Sequence, residues 1–118
     1  MPKKFKVVLI FLIFVLGIIL ARFIYIKANE HIYANRVTDY LVNEMEYDES
    51  EIASVEGVYG FKLPKFYVVV TFTNEPYIEY VYFAHDRVLQ FEYQIIDNKF
   101  KGITKEDLRN YDPNGSNN

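Results

Sequence analysis

Cysteine is absent from the 118 residues, which excludes disulfide support for the fold and lipid attachment of the lipoprotein kind. Tryptophan is absent too, so the 18% aromatic content rests on eleven Tyr and ten Phe. Acidic side chains are missing from residues 1–27, where Lys3, Lys4, Lys6, Arg22 and Lys27 carry the side-chain charge. No Gly or Pro falls between Ala28 and Glu56, so nothing there breaks a helix.

What fills the acid-free beginning is apolar. An unbroken run from Val7 to Ala21 follows the lysine cluster, and Phe23 to Ile26 extend it past Arg22. Phe5 to Ile26 would span roughly 33 Å as a helix, against a hydrocarbon core of about 30 Å. A helix satisfies its own backbone, and Val7, Leu9, Phe11, Phe14, Leu16 and Leu20 give up no hydrogen bonds on entering lipid. The discordant Arg22 lies within a turn or so of the end, where its guanidinium can reach the headgroups. The expectation is an uncleaved, single-pass anchor with the lipid bilayer of the cell membrane as partner. Its lysine cluster holds the N-terminus in the cytoplasm and leaves the rest outside. A cleaved signal peptide needs small residues before the cut; Ile19-Leu20-Ala21 is a poor version, and Arg22 follows at once. A buried helix of a soluble protein fits badly, since so short a chain could hardly surround it.

The chain thus divides into three parts. Residues 1–27 are the cytoplasmic lysine cluster and transmembrane anchor, 28–111 an extracytoplasmic α+β domain, and 112–118 a polar tail expected to be disordered. The formal charge of −3 hides a segregation: residues 28–118 hold all sixteen acidic residues and eight basic ones, which leaves −8. Such a domain repels nucleic acid and anionic lipid, so no nucleic-acid partner is expected. A domain without disulfides is compatible with the outside of a Gram-positive-type cell.

Within the domain, Tyr33, Val37, Tyr40, Leu41 and Met45 recur at helical spacing. They predict an amphipathic helix from Ala28 to about Tyr47, running on from the anchor directly or with a bend near Asn29. From Ile52 the period changes to two, predicting strands at about 52–61, 65–73, 77–85 and 88–96. Gly57 and Gly60 suggest a bulge or bend in the first, Leu63-Pro64 ends it, and Asn74-Glu75-Pro76 makes the next turn. The pattern is an antiparallel four-stranded meander packed on one helix. Pairing Phe72 with Ile78 sets Val70 beside Tyr80 and Val68 beside Tyr82. Pairing Ala84 with Leu89 sets Tyr82 beside Phe91, Tyr80 beside Tyr93 and Ile78 beside Ile95. One face becomes apolar across three strands, and a one-residue slip would expose it. Thr104, with Asp107 three residues on, caps a short helix.

Several segments resemble DUF3139, an uncharacterised group of small Firmicute proteins. They are the Lys-rich start and apolar run, the acidic stretch from Tyr47 to Ile52, Leu63 to Val70, Thr71 to Pro76, and the Tyr-rich strand from Tyr77 to Phe83. The resemblance covers roughly residues 1–96. It implies a bacterial membrane protein and, because the family has no assigned activity, no catalytic residue.

No catalytic or cofactor-binding constellation stands out. Glu44, Glu46, Asp48, Glu49 and Glu51 form the densest charge and would offer oxygen ligands to Ca²⁺ or Mg²⁺, but their spacing fits no calcium-loop motif. A solvated helix end and linker is the plainer reading. His31 and His85 lie far apart and, without cysteine, make a poor zinc site. The predicted register leaves Tyr67, Val69, Val81 and Phe83 together on the outer face of the sheet, rimmed by polar residues, as protein-contact surfaces often are. Phe100, Ile103, Leu108 and Tyr111 could instead fold back and cover that patch. The leading expectation is a non-enzymatic protein-interaction module that meets another membrane or cell-envelope protein. Divalent-cation binding or envelope sensing is the alternative, and an enzyme acting on envelope material comes last.

Overall fold

The computed structural model describes residues 2–60 and 65–112. The Leu63-Pro64 break and the tail beyond Asp112 lie outside the described residues. Helix α1 (Lys3–Asp39) begins after Pro2 and runs uninterrupted from the lysine cluster into the domain. It then widens into a π-helical turn, Tyr40–Glu44, where the Met45 N–H donates to the Tyr40 carbonyl at 3.0 Å. Glu46 follows in the left-handed region (φ 62°), which costs a residue with a side chain about 1–2 kcal/mol. A bond from the Tyr47 N–H to the Leu41 carbonyl, 2.9 Å long, closes the helix end.

Strands β1 (Ile52–Tyr59), β2 (Phe66–Phe72), β3 (Glu75–Phe83) and β4 (Leu89–Ile95) form one antiparallel sheet in the order β1-β2-β3-β4. With the helix packed on it, this is the α+β architecture expected from the periodicity. The middle of the register agrees as well: Val70 pairs with Tyr80, Val68 with Tyr82, Ile78 with Ile95 and Tyr80 with Tyr93. The ends differ because of irregularities. Phe72 pairs with Glu75 rather than Ile78, so Glu75 and Pro76 belong to β3 and the turn is only Thr73 and Asn74. In β4 an extra residue at Phe91 shifts the pairing, so Tyr82 meets Gln90 and Phe83 meets Leu89. Beyond such a bulge every side chain changes face. Phe91, expected on the inner face, is therefore half exposed at 50% and stacks on Phe83 at 4.4 Å, while Gln90 is buried.

The inner face holds the core. Tyr33, Val37 and Leu41, at i, i+4 and i+8, meet Val68, Val70, Phe72, Ile78, Tyr80, Tyr82 and Ala84. Each Val, Leu, Ile or Phe buried there is worth about 1.5–3 kcal/mol. Gly57 lets α1 approach β1 this closely, because a Cβ there would overlap the Glu30 carbonyl and come within 2.8 Å of its Cα. The bulge expected at Gly57 lies instead between Ile52 and Ser54. In contrast, none of the side chains from Phe5 to Tyr25 is buried. Among the described residues, this helix is the one long and apolar enough to cross a membrane.

Candidate functional site

Three features outside the apolar core carry polar or contact chemistry. The first is a buried polar clasp. After two short helical turns, Asn98–Phe100 and Lys105–Asp107, the chain from Arg109 to Asp112 returns to the β3–β4 half of the inner face. An irregular segment brings backbone groups that no ladder satisfies, so the sheet must supply partners. Glu75, fully buried, accepts from the Arg109 and Asn110 N–H groups at 2.9 and 3.1 Å. It also accepts from the Asn110 side-chain amide at 2.7 Å and the Tyr80 hydroxyl at 2.6 Å. Gln90 accepts from the Asp112 N–H at 2.8 Å and donates to the Asn110 carbonyl and the Tyr82 oxygen, both at 2.9 Å. From the end of the helical region, Tyr40 donates to Asp112 and Tyr47 to Asn110, each at 2.9 Å.

Burial and the bond to Asp112 push the Tyr40 hydroxyl up to about 12. Burial also raises Tyr47 and Tyr82, and it raises Tyr80 together with the Glu75 bond. These phenols stay protonated; those of Tyr40, Tyr47 and Tyr80 donate, while the Tyr82 oxygen accepts from Gln90. Their chemistry is structural: they hold a strap down. The sequence offered one signal for the clasp, since inward Tyr hydroxyls on a buried face require polar partners. Which residues would supply them was not legible. Asp112, assigned to a disordered tail, is in fact buried.

The second feature is the outer sheet face. Tyr67, Val69 and Phe83 are partly exposed there beside the half-exposed Phe91, whereas Val81 is only 8% exposed. Of the expected alternative cover, Ile103 and Leu108 pack against the inner core, and Phe100 stacks at 3.8 Å on Tyr77, which packs against that core as well.

The third feature lies where the apolar stretch meets the sheet. Arg22 donates to the Tyr59 hydroxyl at 2.8 Å, and Phe66 meets the rings of Tyr59, Tyr33 and Tyr25 at 5.0, 5.3 and 6.2 Å.

The acidic run does not converge. Glu44 ends the π-helical turn, Glu46 is the left-handed residue, and Glu51 accepts from the Asp48 N–H at 2.9 Å beside Glu49. Among the described residues, no three His, Asp or Glu side chains gather as a metal-holding group. His31 is exposed on α1, while His85 meets the Tyr33 hydroxyl through Nδ1 at 3.1 Å, so the two are not brought together. An open cleft between Arg36, Asp39, Glu44, Asp86 and Arg87 mixes both charges.

No curated protein and no solved structure matches the chain. One family model does, over residues 2–82, which takes in α1, β1, β2 and nearly all of β3 but stops before β4 and the strap. On that match the chain belongs to the family described as "Protein of unknown function (DUF3139)".

Proposed function

We propose that this is a single-pass protein of the cell membrane. Its N-terminus is cytoplasmic, and its domain stands outside a Gram-positive-type cell. There the domain receives another membrane or cell-envelope protein on the outer sheet face, without catalysis. One observation carries the reading: Ile103 and Leu108 go to the inner face, leaving Tyr67, Val69, Phe83 and Phe91 partly exposed beside one another. Aromatic and aliphatic side chains grouped within a polar rim are what protein contacts use. The length and composition of α1 support the anchor, and the lysines before it support the orientation.

Because the chain has no cysteine, Phe91→Cys supplies a sole thiol in the full-length protein. In intact cells a membrane-impermeant thiol reagent should label it, and a thiol-directed crosslinker should give a discrete heavier adduct. Asn43→Cys, exposed at the helix end, is the control and should give none. Protection of Asn43→Cys, away from the proposed contact face, from the impermeant reagent would overturn the orientation. The same adduct pattern at both positions would overturn the choice of face.

A further inference from the structure

The junction between the apolar stretch and the sheet has a geometry that membrane anchoring alone does not require. A spanning helix usually has freedom to hold its domain away from the lipid through a linker. Here α1 continues straight into the domain, and the sheet reaches back along it as far as Arg22. From Phe5 to Tyr25 the rise is about 30 Å, the thickness of the hydrocarbon core. Tyr25 is also the residue whose ring meets Phe66 edge-on at 6.2 Å. The depth at which hydrocarbon gives way to headgroups is therefore the depth at which the β1–β2 end of the sheet begins.

The residues at that level suit the headgroup layer. Tyr25, Tyr59 and Phe66 form an aromatic cluster, and rings of this kind favour the interface between tails and water. Three cations flank them. Arg22 is held by the Tyr59 hydroxyl, Lys27 pairs with Glu30 at 3.4 Å while staying 61% exposed, and Lys65 is exposed just before β2. The acidic run lies at the other end of the helical region. Glu44 is about 28 Å beyond Tyr25 along the axis, about three and a half Debye lengths at physiological salt. Along the helical region Arg22 and Lys27, with Lys65 beside them, thus lie toward the apolar stretch, and the acidic run from Glu44 to Glu51 lies at the far end.

We infer that the β1–β2 end of the domain, Tyr59, Lys65 and Phe66 together with Arg22, Tyr25 and Lys27, is a membrane-contact surface seated among phospholipid headgroups. Its rings lie at the tail boundary and its cations on lipid phosphates. This rests on the anchoring reading above, and the test separates the two. The chain lacks tryptophan, so each single Trp substitution in the full-length protein is a sole reporter. The variants are reconstituted into vesicles of phosphatidylcholine and phosphatidylglycerol, with bromine placed either near the headgroup or deep in the acyl chains.

Leu16→Trp should lose its emission to deep bromine and Met45→Trp to neither. Phe66→Trp and Tyr59→Trp should lose most of theirs to shallow bromine, with a blue-shifted maximum. Two reporters are used so that local misfolding of one does not decide the result. Charge reversal by Lys27→Glu and Lys65→Glu should weaken the shallow quenching, and unchanged quenching would remove the phosphate contact. If Leu16→Trp is quenched but both sheet reporters are not, the domain stands clear of lipid and the inference falls while anchoring survives. If Leu16→Trp escapes quenching, anchoring itself falls.

Discussion

The two halves of the inner sheet face are covered by different kinds of chain. Over β1 and β2 the cover is α1, whose backbone is satisfied internally, so the contact is made of Tyr33, Val37, Leu41 and apolar partners. Over β3 and β4 the cover includes the irregular strap from Arg109 to Asp112, and the sheet answers with a buried carboxylate and a buried amide. The difference teaches that Glu75 and Gln90 are in the core because of what lies on top of them. A helix over the same strands would have needed neither.

Four substitutions sharpen or break that contrast, each measured as the melting of the full-length protein in lipid nanodiscs. Gly57→Val should have the largest effect. It drives a branched side chain into the Glu30 backbone, which cannot rotate away, so the cost should exceed the ~3 kcal/mol usual for an overfilled core. Retention of the wild-type melt would disprove the close approach. Glu75→Ala comes next, at about 3 kcal/mol, because it strands the Tyr80 hydroxyl and the donors of Arg109 and Asn110. Faster amide exchange should be confined to the strap, and exchange spreading equally into α1 would contradict the division. Gln90→Leu should cost about 2 kcal/mol, because it removes the acceptor that Gln90 offers the Asp112 N–H and the donor it offers the Asn110 carbonyl.

Tyr40→Phe is the mildest, at about 1 kcal/mol, since one hydrogen bond is lost from a half-buried site. It also fixes a pH signature. The folded state holds the Tyr40 proton up to about 12, against 10.0 ordinarily, so the group stabilises the fold fully below pH 10. That contribution is lost as the pH rises toward 12. Tyr40→Phe should flatten part of the alkaline decline, and an identical decline in the variant would exclude Tyr40 as its source.

Much of the fold was legible in the sequence for definite reasons. The absence of Gly and Pro between Ala28 and Glu56 foretold the continuous helix, and period-two alternation foretold the meander and its central register. The misses cluster where one extra residue changes a strand's phase. No glycine marks the bulge at Phe91, so nothing local warned that Gln90 would turn inward and Phe91 outward. Flanked by Asn74 and Pro76, Glu75 reads locally as a turn residue. Its inward position depends on the strap about 34 residues later, a separation that no local pattern carries. The candidate contact surface was only partly legible. Tyr67, Val69 and Phe83 share the outer face as expected, whereas Val81 is nearly closed over and Phe91 joins the group.

The absence of any joint in α1 makes the domain's compass bearing a counted quantity. Each residue turns a helix by about 100° and advances it about 1.5 Å. Adding one alanine between Ile26 and Lys27 would swing Tyr59 away from Arg22 and set the anchor and the docked helix face out of phase. Removing or adding seven residues would nearly restore the heading while changing the height by about 10 Å. Direction and altitude of the sheet can thus be dialled separately by residue count.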